Sequence, residues 1–188
     1  MHKILVATVL TASLLGCAQS GSAPASPVVA GKTAAANTTT ADSGEGRCGI
    51  ARFEAAAAAK LNAYRSAGAR CGSAGSFASS PPLTWNGPLG RAALLHTQDM
   101  ARHGYFDHQG RDGRDASQRV DAAGYDWSST SENIALGARS LDEVMAMWIN
   151  SPGHCANMMA PEPRDFGLAC VARPGGQPYW TLVLGRAR

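Results

Sequence analysis

The chain changes character at about Gly46, and that change decides how much of it can fold. From Ala18 to Gly46 it is built of Ala, Ser, Thr, Gly and Pro with almost no large apolar side chain. Such a stretch cannot bury enough surface to offset its ordering entropy, so residues 17–46 are expected to be a tether. Beyond it, residues 47–188 have the usual size of one domain, roughly 140 residues.

Ahead of the tether, Met1-His2-Lys3 precede an apolar run from Ile4 to Leu15, then Gly16 and Cys17. A basic start, a short apolar stretch and a small residue before a cut describe a secretory leader over 1–16. The run is too short to span a bilayer. Leu14-Leu15-Gly16-Cys17 also resembles a bacterial lipobox, which implies lipidation at Cys17 and a membrane partner reached through that anchor. No aspartate follows Cys17. By resemblance to Gram-negative lipoproteins, this points past the inner membrane to the outer membrane, facing the periplasm or the cell surface.

Five cysteines are an odd number for an exported chain. Setting Cys17 aside leaves Cys48, Cys71, Cys155 and Cys170, and an oxidising compartment favours two disulfides. Four cysteines allow three pairings. Cys48–Cys71 and Cys155–Cys170 are the expected pairs, because each brackets one local unit. A net charge of +3 with no basic block argues against a nucleic-acid partner.

Within the folded part, Phe53, Ala57, Leu61 and Tyr64 recur at helical spacing over Ile50 to Ala67. Asn86 is a good N-cap for a second helix reaching His103, with Leu89, Ala93, His96, Met100 and His103 on one stripe. A histidine on such a stripe is expected to be a core residue, although His96 and Asp99 can pair. Gly104 closes this helix, and a short third helix covers Ala116 to Ala123. Ser131 to Ala135 suggests a short strand. Ser140-Leu141-Asp142-Glu143 is a capping box opening a helix whose buried face is Leu141, Val144, Met145 and Trp148. Ser151-Pro152-Gly153 should break that helix and present His154. Phe166 to Ala172 and Tyr179 to Leu184 read as a β-hairpin. The fold class is therefore α+β.

Three blocks carry the chemistry: Tyr105-Phe106-Asp107-His108, Ser131-Glu132-Asn133-Ile134-Ala135, and Trp148-Ile149-Asn150-Ser151-Pro152-Gly153-His154. Two imidazoles and a carboxylate can hold a divalent metal. They can equally form a hydrogen-bonded pair in a cleft. Cys155 beside His154 raises a rival Cys–His nucleophile. Adjacent residues on extended backbone point apart, however, and an exported thiol would have to escape oxidation to a disulfide with Cys170 available as partner.

In their order these blocks resemble the bacterial branch of the CAP superfamily, which groups cysteine-rich secretory proteins, insect venom antigens and plant pathogenesis-related proteins. Leu83-x-Trp85-Asn86, His96-x-x-Asp99, Asn62, Arg65, Arg119, Gly124-Tyr125 and Tyr179-Trp180-Thr181 fit the same pattern. The bland reading of Asn62 and Arg65 is a solvated or hydrogen-bonded helix surface. The resemblance implies a three-layer α-β-α sandwich with a central antiparallel sheet. It also implies a cleft lined by His108, Glu132 and His154, with His108 and His154 as zinc ligands. Glu132 is then a further ligand, a group orienting a histidine, or a catalytic carboxylate. A second glutamate found in eukaryotic members is missing, since Ile149, Asn150 and Ser151 occupy that region. Two function classes stay open: a binding module for a lipid, sterol, peptide or protein, and a metal-assisted envelope hydrolase. No nucleophile or specificity pocket is legible for the second.

Overall fold

The computed structural model describes residues 46–188. The leader, Cys17 and all but the end of the tether lie outside these described residues.

Five helices surround a four-stranded sheet. Helix α1 spans Phe53–Ala67, α2 Gly87–His103, α3 Ala116–Ala122, α4 Leu141–Ile149 and α5 Pro152–Met159. Strands β1 (Ala69–Arg70) and β2 (Ser76–Phe77) form a small hairpin apart from the main sheet. The main sheet comprises β3 (Thr84–Trp85), β4 (Trp127–Leu136), β5 (Asp165–Ala172) and β6 (Pro178–Ala187), in the order β3-β5-β6-β4. β6 runs antiparallel to both neighbours, whereas the two-residue edge strand β3 lies parallel to β5. The sheet is thus antiparallel except at that edge.

Strand alternation makes the layers. Phe166, Leu168 and Cys170 of β5 and Trp180, Leu182 and Leu184 of β6 turn one way, into a core shared with α1, α4 and Met158 of α5. Ala169 and Val183 turn the other way, to meet Leu89, Ala92 and Ala93 of α2 and Val120 of α3. The result is an α-β-α sandwich, with α1, α4 and α5 on one face and α2 and α3 on the other. Gly167 sets the closeness of the second layer. A Cβ there would lie 2.1 Å from the Gly90 backbone nitrogen, so α2 rests directly on the sheet.

Several local expectations hold. The Asn86 side chain accepts from Leu89 N–H and caps α2, and Gly104 ends that helix at φ 69°. The Ser140 side chain accepts from Glu143 N–H, although the Glu143 carboxylate takes the Arg139 N–H rather than closing the box. The strand suggested at Ser131 to Ala135 is longer, running Trp127–Leu136.

Others need correction. Ser151-Pro152-Gly153 ends α4 but also begins α5, because Pro at the first helical position suits a helix start as well as a stop. Arg65 is fully buried rather than on a helix surface. Its guanidinium donates to the carbonyls of Pro81, Met158 and Ala160, tying α1 to α5.

The disulfides also differ from the expected pairs. Cys48 joins Cys170, and Cys71 joins Cys155, so Cys48–Cys71 and Cys155–Cys170 are not formed. The reason is layer placement. Backbone next to Cys48 docks along β5, where Cys170 N–H donates to the Gly46 carbonyl. Cys71 instead packs with Cys155 and Met159 of α5 in a small separate core. Nearness along the chain is a poor guide where strands and helices from distant segments share a layer.

Candidate functional site

Glu132 sits in the middle of β4, the edge strand opposite β3. Its side chain, together with that of Ile134, faces the α2/α3 layer and is almost wholly buried. Both carboxylate oxygens are engaged. His108 Nδ1 lies 2.8 Å from Oε1, and Arg119 of α3 donates to Oε2 at 2.7 Å. A buried carboxylate with two charge-assisted partners is held as an anion. Burial alone would raise the Glu132 pKa, but the hydrogen bond from His108 and the charge of Arg119 lower it below the ordinary value. The same hydrogen bond raises His108 above its ordinary value, against some desolvation.

Arg119 reaches this position because α3 is firmly started. The Asp115 side chain accepts from Gln118 N–H, and the Gln118 side chain accepts from Asp115 N–H, a complete capping box. A second nitrogen of Arg119 donates to the Arg114 carbonyl, fixing the guanidinium between the loop and β4. In the sequence Arg119 stands out only as part of the family pattern, with nothing to place it in the site. Its role depends on the placement of α3 against β4, which no local pattern encodes.

His154 comes from the other side of β4. It occupies the first turn of α5, and its backbone carbonyl accepts from Asn133 Nδ2 at 3.0 Å. Asn133 follows Glu132 and therefore points to the opposite face, where Asn157 of α5 also donates to its Oδ1. Asn157 and Trp148 further donate to the carbonyls of Glu132 and Ile134, covering the strand's outer edge with α5 and α4. The His154 imidazole is half-buried and makes no hydrogen bond to Glu132 or His108. Desolvation lowers its pKa, and repulsion from His108 lowers it further. The structure therefore brings His108 and Glu132 into contact and leaves the His154 ring, on the other side of the strand, without a hydrogen bond to either.

Two imidazoles and one carboxylate with both oxygens engaged offer fewer free donors than zinc centres use. Zinc centres use three or four protein ligands. Among the described residues no group of three or more His, Cys, Asp or Glu side chains is arranged to hold a metal. Both Glu132 oxygens already serve His108 and Arg119. Of the roles open to Glu132, orienting a histidine matches the geometry. The rival Cys–His nucleophile falls for a different reason than extended backbone. His154 and Cys155 share a helix, but Cys155 is buried in its disulfide with Cys71.

His96 and Asp99 do not pair. His96 is buried, as expected of a core residue, with Nε2 2.9 Å from the Asp107 carbonyl. Asp99 instead accepts from the Tyr105 hydroxyl at 2.5 Å and contacts His103 Nδ1 at 2.8 Å. Tyr105 is pushed up to about 12 by burial and by that bond.

A profile of the family described as "CAP: Cysteine-rich secretory protein family" matches residues 58–184. The chain belongs to the CAP family. The uncharacterized protein YkwD of Bacillus subtilis is 32% identical over 90 residues, covering 48% of this chain and 35% of YkwD. The uncharacterized membrane protein YlbC of the same organism is 29% identical over 72 residues, covering 38% of this chain and 21% of YlbC. The match spans about a third or less of these curated relatives. Among solved structures, an outer surface protein from Borrelia burgdorferi superposes with a TM-score of 0.54 at 18% identity, covering 58% of this chain and 80% of the Borrelia chain. An extracellular protein containing an SCP domain from Bacillus anthracis gives 0.50 at 23% identity, covering 57% and 34%. At these identities the likeness establishes a shared fold, in agreement with the three CAP layers described above.

Proposed function

We propose that this CAP domain is a non-enzymatic binding module, exported and held at the cell envelope by a lipid on Cys17. The observation that carries the reading is the commitment of Glu132. A carboxylate with one oxygen on a guanidinium and the other on an imidazole is a scaffold for the cleft wall. Serving as a base or metal ligand would require it to give up one of those bonds in a buried setting, which is costly. His108, more than half exposed, is then the group that meets a ligand, and its raised pKa keeps it a hydrogen-bond donor under mildly acidic conditions. His154 presents a second, more readily neutral imidazole. The ligand classes that suit such a rim are lipid head groups, sterols, peptides and protein loops.

A metal-assisted hydrolase using His108, His154 and Glu132 is the competing function. Zinc titration by calorimetry on the full-length protein, beside His108→Ala and His154→Ala, separates the two. The binding-module reading expects no stoichiometric, histidine-dependent uptake. One tight site abolished by both substitutions, with turnover of a peptide substrate, sinks it. The anchor has its own test: Cys17→Ser should move the protein from the membrane to the soluble fraction with its fold intact. A variant that stays membrane-bound removes the anchor from the reading.

A further inference from the structure

The loop that presents His108 is fastened to α2 on both sides of that residue. On the N-terminal side, the Tyr105 hydroxyl donates to Asp99 Oδ2 at 2.5 Å. Next to His108, the Asp107 carbonyl accepts from His96 Nε2 at 2.9 Å. On the C-terminal side, the Arg111 backbone N–H is directed at the same Asp99 carboxylate. Tyr105 and Arg111 stand three residues before and three residues after His108. One carboxylate of α2 thus gathers both ends of the segment whose middle residue is His108.

Asp99 is suited to this. Its other oxygen meets His103 Nδ1 at 2.8 Å, so the carboxylate is oriented from its own helix. Burial alone would raise its pKa, but the bonds from Tyr105 and Arg111 lower it below the ordinary value. A hydrogen bond to such an anion is stronger than one between neutral groups. Tyr105 also holds the loop through its ring, which packs with Met100 and Ala101 of α2 and Ile134 of β4, edge-on to His96 at 6.3 Å. Ile134 shares a face of β4 with Glu132. The loop is therefore registered against the helix that carries Asp99 and against the strand that carries Glu132.

His108 needs that support. Its side chain is 57% exposed, and its imidazole bonds to Glu132 through Nδ1. One bond from an exposed ring contributes little against the entropy of ordering a loop. Gln109 N–H on the Asp107 side chain and Gly110 N–H on the Arg114 carbonyl are internal to the loop and hold nothing to α2.

We propose that Asp99 and Tyr105 are positioning residues for the cleft: their bond keeps the His108 imidazole within reach of Glu132. This role rests on the binding-module reading in one respect, that His108 is the group a ligand meets. Parting Tyr105 from Asp99 frees the loop, lets His108 leave Glu132 and removes that imidazole from its place on the rim.

The test is ¹⁵N NMR of the His108 ring in full-length protein, at a pH above its transition, where the ring is neutral. The bond to Glu132 requires the proton on Nδ1, so the Nδ1–H tautomer reports it. Wild-type protein should show mainly that tautomer. Tyr105→Phe keeps the aromatic ring and changes no charge, because the tyrosine hydroxyl is pushed up to about 12. It should lower the Nδ1–H population about twofold. Asp99→Ala should lower it at least as far, and Asp99→Asn, which retains an acceptor oxygen, should fall between Asp99→Ala and wild type. His103→Gln, at a side chain that touches Asp99 without tying the loop, should leave it unchanged. A merely structural bond would lower stability in urea and leave the tautomer as in wild type, and that outcome overturns the proposal. A change in Asp99→Ala with Tyr105→Phe like wild type overturns it too, since it marks an effect of charge. Tyr105→Phe decides the matter if Asp99→Ala fails to fold. No ligand or metal enters the measurement, so an unmoved His108 refutes the positioning role alone, while the zinc titration above decides the binding-module reading.

Discussion

Glu132 and Asn133, neighbours on β4, hold side chains and backbone of opposite helical layers. Glu132 takes His108 and Arg119 from the α2/α3 side, while Asn133 donates to the His154 carbonyl and accepts from Asn157 on the α5 side. Strand alternation makes this possible: two consecutive residues reach two helical layers. One face of the strand thus holds the His108 imidazole and the other the backbone of His154.

The His108–Glu132 bond gives a pH signature. His108 is raised in the folded state, so its contribution is complete below the unfolded value and is lost as pH rises through the folded one. Glu132 is lowered, so its contribution is complete above its unfolded value and is lost as pH falls through the folded one. The coupling in a double-mutant cycle of His108→Ala and Glu132→Gln should therefore be largest between about pH 4.3 and 6.5. Its size should be roughly 1 kcal/mol, because His108 is more than half exposed. NMR titration should also find that Glu132→Gln brings the His108 pKa down. A His108 pKa unmoved by that change would show that the bond does not persist in solution.

Arg119 should matter more to stability than a surface arginine. Its side chain is 10% exposed, and that of Glu132 is 3% exposed. Arg119→Leu leaves the Glu132 carboxylate buried with one charged partner instead of two. The expected loss is about 3 kcal/mol by urea denaturation at neutral pH, the low end for breaking a buried pair because His108 remains. The loss should shrink in Arg119→Leu/Glu132→Gln. If the double variant is no more stable than the single, the penalty has another origin.

Asn133 is expected to set the position of α5. Asn133→Ala removes two part-buried hydrogen bonds of a buried side chain and should cost about 2 kcal/mol. Asn133→Asp keeps an acceptor for Asn157 but offers no donor to the His154 carbonyl, and it buries a charge, so it should cost more. The His154 ring resonances should move in both variants while those of His103 stay put. Unchanged His154 resonances would detach Asn133 from the cleft.

Much of this architecture is legible along the chain, because periodicity and caps are local. The Asn86 cap, the α4 core face and the β5–β6 hairpin all follow from neighbours within a turn or two. His108 and Glu132 are likewise identifiable from short blocks. Arg119, the two covering contacts from Asn157 and Trp148, and the burial of Arg65 are not, since each depends on which layer packs against which strand. The Pro152 signal is ambiguous for a sharper reason: proline both stops a preceding helix and starts the next.

The disulfide pairing is a test of layer placement. Cys48–Cys170 and Cys71–Cys155 close spans of 122 and 84 residues. In the chain-entropy account each contributes about 4–5 kcal/mol, well above a bond closing a short local loop. Peptide mapping under non-reducing conditions should recover only these two linked pairs. A Cys48–Cys71 peptide would mean that the N-terminal end of the described chain does not dock along β5.

Gly167 offers the most severe test of the second layer. An added Cβ would meet backbone, 2.1 Å from Gly90 nitrogen and 2.2 Å from Leu89 carbon, so no rotamer change relieves it. At Gly90 the nearest atom would be a Trp85 ring carbon at 2.6 Å. That ring packs edge-on to Phe53 and Phe166, at centroid distances of 6.4 and 5.4 Å, and can shift only by disturbing both. Gly167→Ala must push α2 off the sheet, whereas Gly90→Ala can be absorbed in part by a side chain. Overpacking of this kind costs about 1–3 kcal/mol, and Gly167→Ala should reach or pass the upper figure while Gly90→Ala stays below it. Because α2 carries His96 and leads into His108, the Gly167→Ala protein should also show displaced resonances for both histidines. Equal, small losses from the two substitutions would mean that α2 stands further from β5 than the close approach at Gly167 requires.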